Sequence, residues 1–193
     1  MSDTIQQPTL RTAFGPRGLT MSILMVVAGS ALMTLAAKVQ VPFFPVPMTM
    51  QVLVALLIGA AYGPRLAAVT IGAYLAQGAA GLPVFAGTPE KGIGLAYMAG
   101  PTGGYLLGFL LAAITTGWLA ERGGDRGPFR LALTGLSGIA AIYVPGLLWL
   151  GTLIGWDQPV LVYGLWPFVP AEILKLALFV VIVHLGTGAL RRR

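Results

Sequence analysis

Six apolar stretches, Leu19 to Ala37, Met48 to Tyr62, Arg65 to Ala80, Thr102 to Ala120, Phe129 to Ile154 and Trp166 to Leu190, occupy most of the chain. A bilayer's hydrocarbon core is crossed by a helix of about 20 apolar residues, and lipid leaves no partner for an unpaired backbone group. Helices packed on helices are therefore the fold that such a chain can adopt. The second and third stretches fall short of a perpendicular crossing and are parted only by Gly63 and Pro64, which predicts a tight helical hairpin. With 56% of its 193 residues hydrophobic and 9% charged, the chain reads as an all-α integral membrane protein. The expected architecture is a six-helix transmembrane bundle in a single domain, 1–193, with a long external loop between helices 3 and 4. Residues 1–18 form a cytoplasmic N-terminal segment in this reading, and 191–193 a basic cytoplasmic C-terminus.

Charge sets the expected orientation. With six crossings, Arg11, Arg17, Arg65, Arg122, Arg126, Arg130 and Arg191 to Arg193 fall on one side, and the opposite loops hold only Lys38 and Lys91. Arginine and lysine gather on the cytoplasmic face, so both termini are expected there. The net charge of +6 is thus a matter of topology, and no nucleic-acid motif accompanies it. Residues 1–20 lack the basic start, short apolar core and cleavage site of a secretory signal, so the first apolar helix is expected to direct insertion. The chain has no cysteine, which excludes disulfides, thiolate metal sites and cysteine nucleophiles. It also lacks the Gly-x-x-x-x-Gly-Lys-Ser/Thr loop that cradles ATP phosphates.

The outward-facing loops are rich in proline: Pro42, Pro45 and Pro47, then Pro83 and Pro89, then Pro159 and Pro167. Irregular backbone at membrane depth is tolerated where it lines a cavity, so a pocket opening outward is expected. Residues 81–109, GLPVFAGTPEKGIGLAYMAGPTGGYLLGF, form the longest such connection and enter a helix through Gly100, Pro101 and Thr102. Long ordered loops are more often functional than not, although an ordered cap without a ligand has the same shape. Small residues recur every four positions at Gly104, Gly108, Ala112, Thr116 and Ala120, at Ala68, Gly72, Ala76 and Ala80, and at Ala55, Gly59 and Gly63. Such stripes let helices approach closely, within the bundle in the first place, or against a partner subunit.

Glu172 and Lys175 are the costliest residues, just inside the sixth stretch and three apart on one helix face. Ionisable groups within a span mark functional sites by default, and a carboxylate with an ammonium suits a small polar head group. A structural ion pair remains the alternative. Lys91 is the only cation of the long loop and can meet an anionic group, or can be a solvated charge neutralised by Glu90. Gln51, Tyr74 and Gln77 are polar groups on the short helices that can line the pocket or cap backbone. Phe85, Tyr97, Tyr105, Trp149, Trp156, Tyr163 and Trp166 supply aromatic surface, much of it explained by an interfacial belt. Gly135 to Gly138 spell GxSG, and with His184 resemble the Ser and His of an intramembrane serine protease; packing residues explain them as well. No catalytic residue and no metal site are assigned.

The segments GLPVFAG and GPTGGYLLGF in 81–109, PVPMTMQ at 45–51 and the hairpin LLIGAAYGPRLAA resemble the BioY family, the biotin-specific S components of energy-coupling-factor (ECF) transporters. The similarity runs from about Ala36 to Leu119 and resumes near Pro167 to Lys175. It implies a six-helix protein of the prokaryotic cytoplasmic membrane that captures biotin from outside with high affinity, needs no cofactor and is not an enzyme. Energy would come from partners: one transmembrane coupling subunit and two ATP-binding subunits. The family's acid and lysine, three apart in the last helix, map onto Glu172 and Lys175, which would receive the ureido ring; relatives often carry aspartate at the first. A basic loop residue that meets the valerate carboxylate maps onto Lys91. Gln51, Tyr74, Gln77 and Phe85 are expected as wall or orienting groups. The resemblance further implies docking to the coupling subunit through a small-residue pair of the first helix, where Ser30 and Thr34 come nearest. A stand-alone carrier and an S component for another vitamin are the alternatives.

Overall fold

The computed structural model describes residues 18–191, with the side chains of the last two left aside. Arg11, Arg17, Arg192 and Arg193, on which part of the orientation argument rests, therefore lie outside the described side chains, as does that of Arg191. Helix α1 spans Leu19–Lys38 and is followed by a two-stranded antiparallel hairpin, β1 Gln40–Val41 with β2 Met48–Thr49, in which Gln40 pairs with Thr49 and Val41 with Met48. Helix α2 covers Gln51–Ala79, the short α3 Gly94–Met98, and α4 Gly103–Leu119, which runs into a wide π turn over Ala120–Gly124. Helix α5 spans Pro128–Ile154, α6 Val160–Gly164, and after a 3₁₀ turn at Trp166–Phe168 comes α7, Val169–Arg191.

Five of the helical stretches are long and apolar enough to cross a membrane. The protein is a multi-pass membrane protein, and the expectation of six rods meets a different element here. Helix α2 is two helical arms joined at Gly63, where the backbone leaves helical geometry with φ +75° and ψ 168°. A backbone of that kind is open essentially to glycine alone, and Pro64 follows it without needing an N–H partner. The consequence is visible in one contact. Gln51 Nε2 donates to Tyr74 Oη at 2.7 Å, whereas a straight helix would part those residues by about 35 Å. The two arms, 51–62 and 64–79, therefore fold back on each other.

The bundle has an inside and an outside. In α2 and in α4 with its π turn, 56% of the most apolar window is buried, against 22% in α1 and 28% in the final stretch. Helices α2, α4 and α5 form the centre, with α1 and α7 laid against it. Small residues make the centre possible. A Cβ added to Gly108 would fall 2.6 Å from Ile142 Cα, and one at Gly117 would fall 2.7 Å from the Pro64 nitrogen. The stripe along α4 is thus consumed inside the bundle, with Ala112 and Thr116 fully buried. Gly72, in the other stripe, would meet nothing within 4 Å.

The segment from Gly81 to Thr102 is not one irregular loop, as the sequence reading has it, but turns interrupted by the single-turn helix α3. Its backbone is stapled to the bundle by Phe85, which is fully buried. The ring lies so close over Gly78 that a Cβ there would overlap it, meets Tyr74 edge-on at 5.5 Å and stacks on Tyr97 at 5.1 Å. Absence of a side chain at Gly78 makes the seat.

Candidate ligand-binding site

Under this segment lies a small cavity walled by Val46, Pro47, Thr49, Gln51, Val52, Ala86, Thr102, Tyr105, Phe109, Ile142, Tyr143, Phe168, Glu172 and Lys175. Four parts of the chain that the sequence singles out send residues here, the PVPMTMQ hairpin, the 81–102 segment, the start of α4 and the start of α7, whereas LLIGAAYGPRLAA sends none. Pro167 and Pro170 fix the entry into α7, so Glu172 occupies its first turn. The unpaired N–H groups of a helix's first turn favour a carboxylate there.

Glu172 and Lys175 are 7% and 4% exposed, and their charges meet at 2.7 Å between Lys175 Nζ and Glu172 Oε1. Tyr143 Oη donates to the same oxygen at 3.1 Å. Glu172 Oε2, equally buried, has no hydrogen-bond partner among the described residues. Lys175 likewise spends one of its three donors on the pair. A carboxylate oxygen and ammonium hydrogens left unused beside a cavity cost free energy that a ligand with an N–H donor and a carbonyl acceptor would recover.

The remaining walls are apolar and aromatic. Tyr105 and Tyr143 meet edge-to-face at 5.8 Å, Tyr143 and Phe168 at 6.4 Å, and Phe43 backs Phe168 at 5.7 Å. Tyr105 Oη donates to the Gly164 carbonyl at 2.9 Å, which ties α4 to the short helix before α7. The site is a polar pair at one side of an aromatic box.

The expected site residues divide into three groups. Glu172, Lys175 and Gln51 line the cavity together. Tyr74 and Phe85 stand behind it: Tyr74 Oη accepts from Gln51 and donates to the Val84 carbonyl at 3.2 Å, so it joins the hairpin to the overlying segment. Lys91 and Gln77 are elsewhere. Lys91 is exposed, with its stem beside Gly87, and Gln77 Nε2 donates to Ser30 Oγ at 3.1 Å, linking α2 to α1. Ser30 thereby faces the bundle. Ser137 Oγ donates to the Leu133 carbonyl of its own helix and shares no hydrogen bond with His184.

Sequence reading missed two residues that the geometry brings forward. Tyr143 carries no local signal, because its partner Glu172 is 29 positions away. Lys38, taken only as a topological charge, holds the overlying segment: its Nζ donates to the carbonyls of Phe85 and Thr88 and to Thr88 Oγ1 at 3.1–3.2 Å. Its position at the end of α1 was the available clue.

Comparison with known proteins places the chain in a family. The BioY family pattern matches residues 6–192. The chain belongs to the BioY family. A probable biotin transporter BioY of Pyrococcus horikoshii is 37% identical over 154 residues, covering 80% of this chain and 88% of the relative. A biotin transporter BioY of Thermotoga maritima is 36% identical over 147 residues, 76% of this chain and 84% of its own. A crystal structure of the S component for biotin from an ECF-type ABC transporter superposes with a TM-score of 0.73 at 26% identity, over 90% of this chain and 92% of that one. As a BioY protein the chain shares the fold of a transporter component over nearly its whole length.

Proposed function

We propose that this protein binds biotin and serves as the substrate-binding component of an ECF transporter. The observation that carries the reading is the buried Glu172–Lys175 pair with Glu172 Oε2 unpartnered beside the aromatic box. Biotin offers the complement: a cyclic urea with two N–H donors and a carbonyl, fused to an apolar sulfur ring. Glu172 accepts from a ureido N–H, Lys175 donates to the ureido carbonyl, and Tyr105, Tyr143 and Phe168 cover the sulfur ring. Gln51 orients the head group, with Tyr74 and Phe85 supporting it from behind. The valerate chain runs toward the 81–102 segment, where Lys91 and Lys38 supply positive charge. Gln77 holds α1 against α2.

The two arms of α2 count as separate crossings in this reading, which makes six in all and leaves the arginine-bearing end in the cytoplasm of a prokaryotic cell, with both termini. The chain contains no ATP-binding loop, so energy is supplied by a transmembrane coupling subunit and two ATP-binding subunits. The test is equilibrium binding of labelled biotin to the purified, detergent-solubilised protein beside Glu172→Ala and Lys91→Ala. Saturable wild-type binding abolished in Glu172→Ala is the expected result; wild-type protein that retains no biotin would overturn the assignment.

A further inference from the structure

At the opposite end of the bundle a second cavity, of about 250 Å³, lies between the end of α4 and the start of α5. Its walls are Leu119, Arg122, Gly123, Gly124, Arg130, Leu133, Thr134 and Ser137. Its shape is built into the fold. The π turn closes through Gly123, at φ +87°, and Thr134 Oγ1 donates to the Gly124 carbonyl at 3.2 Å, so close to Gly124 that a Cβ there would fall 2.4 Å away. Among the described residues two guanidinium groups enter this wall and no carboxylate does. Glu121 and Asp125, the nearest in sequence, are outside the lining and have contacts of their own.

Arg122 is held in place, its guanidinium 3.8 Å from the Trp118 ring and its Nη1 donating to the Trp118 carbonyl at 3.3 Å. Among the described residues one of its five donors finds an acceptor. Among the described residues neither Arg122 nor Arg130 forms an ion pair. Ser137 spends its proton on Leu133 and acts as wall only. Guanidinium forks match phosphate oxygens. Leu119 and Leu133 continue the cavity into an apolar surface on which Trp118 and Phe129 are exposed, the composition of a membrane interface.

We propose that this cavity binds a phosphate-bearing anion between Arg122 and Arg130, and its apolar walls favour a phospholipid headgroup over free phosphate. Basic pockets between transmembrane helices are suited to anionic lipid heads. The test is thermal unfolding of the full-length protein in a neutral detergent, with short-chain phosphatidylglycerol, short-chain maltoside of equal tail length, or inorganic phosphate added. The double variant Arg122→Gln, Arg130→Gln is compared throughout, with its biotin binding as the check that it is folded. Phosphatidylglycerol at a hundredfold excess over its Kd is expected to raise the wild-type melting temperature by about 5–10 °C, with the shift lost in the double variant and absent with maltoside. An equal shift with inorganic phosphate, again lost in the variant, identifies the free anion as the source. A shift that survives in the double variant, or no shift with either phosphate compound, overturns the proposal.

Discussion

A buried charge pair fixes what each of its members can be replaced by. Removing Lys175 strands the Glu172 carboxylate in a nearly dry site, and breaking such a pair from one side costs about 3–5 kcal/mol. Lys175→Met is therefore expected to lower stability more than Glu172→Gln, which keeps shape and a hydrogen-bond acceptor; thermal unfolding in detergent gives the order directly. Biotin affinity should rank differently. Glu172→Gln exchanges a charged acceptor for a neutral one and should weaken binding about 10- to 100-fold, from the ~1.5–3 kcal/mol of a hydrogen bond to a charged group. Tyr143→Phe removes only the donor that steadies Oε1 and should cost less, about tenfold. A Tyr143→Phe protein that loses as much affinity as Glu172→Gln would show that the hydroxyl itself touches the ligand. The pair was legible in the sequence because charge within an apolar span has few bland explanations. Tyr143 was not, since nothing local in GIAAIYVPG separates a wall tyrosine from a packing one. Gln77 illustrates the opposite failure: a polar residue one turn from the loop invites a binding role, but helical rotation turns it from Gln51 toward Ser30.

Elements built from short pieces place the cavity, and their junctions are where the fold can be tested. The hairpin in α2 was readable from Gly63 and Pro64, since only glycine accepts the backbone there. Gly63→Ala is expected to destabilise the protein by about 1–3 kcal/mol, measurable as a lower unfolding midpoint, with little change in biotin affinity at temperatures where the variant is folded. The segment over the cavity is a different matter. The cavity holds about 30 Å³, room for a water or two, while ligand sites of ordinary size enclose ~300–1,000 Å³. Biotin can enter only if the overlying segment and the aromatic box give way. Phe85, the Tyr74 hydroxyl and the Lys38 ammonium all hold that segment down. Lys38→Ala should therefore speed biotin release several-fold more than it weakens equilibrium binding, because association is eased by the same loosening. Stopped-flow or filter exchange of labelled biotin reads both rates, and an unchanged release rate would mean that the Lys38 contacts are not part of the barrier. No sequence pattern announced this latch, because Lys38 meets Phe85 and Thr88 across 47 and 50 residues.

The whole molecule combines a pocket near one end, a basic end opposite, and a shell of two helices, α1 and α7, that the centre leaves largely uncovered. Concentrating a solute tenfold costs about 1.4 kcal/mol, and a site that binds equally well from either side can only equilibrate its ligand. The Glu172–Lys175 pair and its aromatic box give affinity, and high affinity works against release inside. In the proposed reading, uptake against a gradient comes from a partner that spends ATP on opening the occupied cavity, and that partner acts through helices the bundle does not bury. Proteoliposomes holding the chain alone should bind external biotin up to the number of proteins present and no further, with or without ATP inside. Adding a coupling subunit and its two ATP-binding subunits should let the internal amount exceed that number in an ATP-dependent way. If the lone chain brings internal biotin only to the external concentration, it is a facilitator, and the cavity must open by thermal motion alone. If the lone chain accumulates biotin above that concentration, some ion gradient is the source, and the division of labour argued from the missing ATP-binding loop is wrong. Loading the vesicles with and without a proton or sodium gradient separates those two outcomes in one experiment.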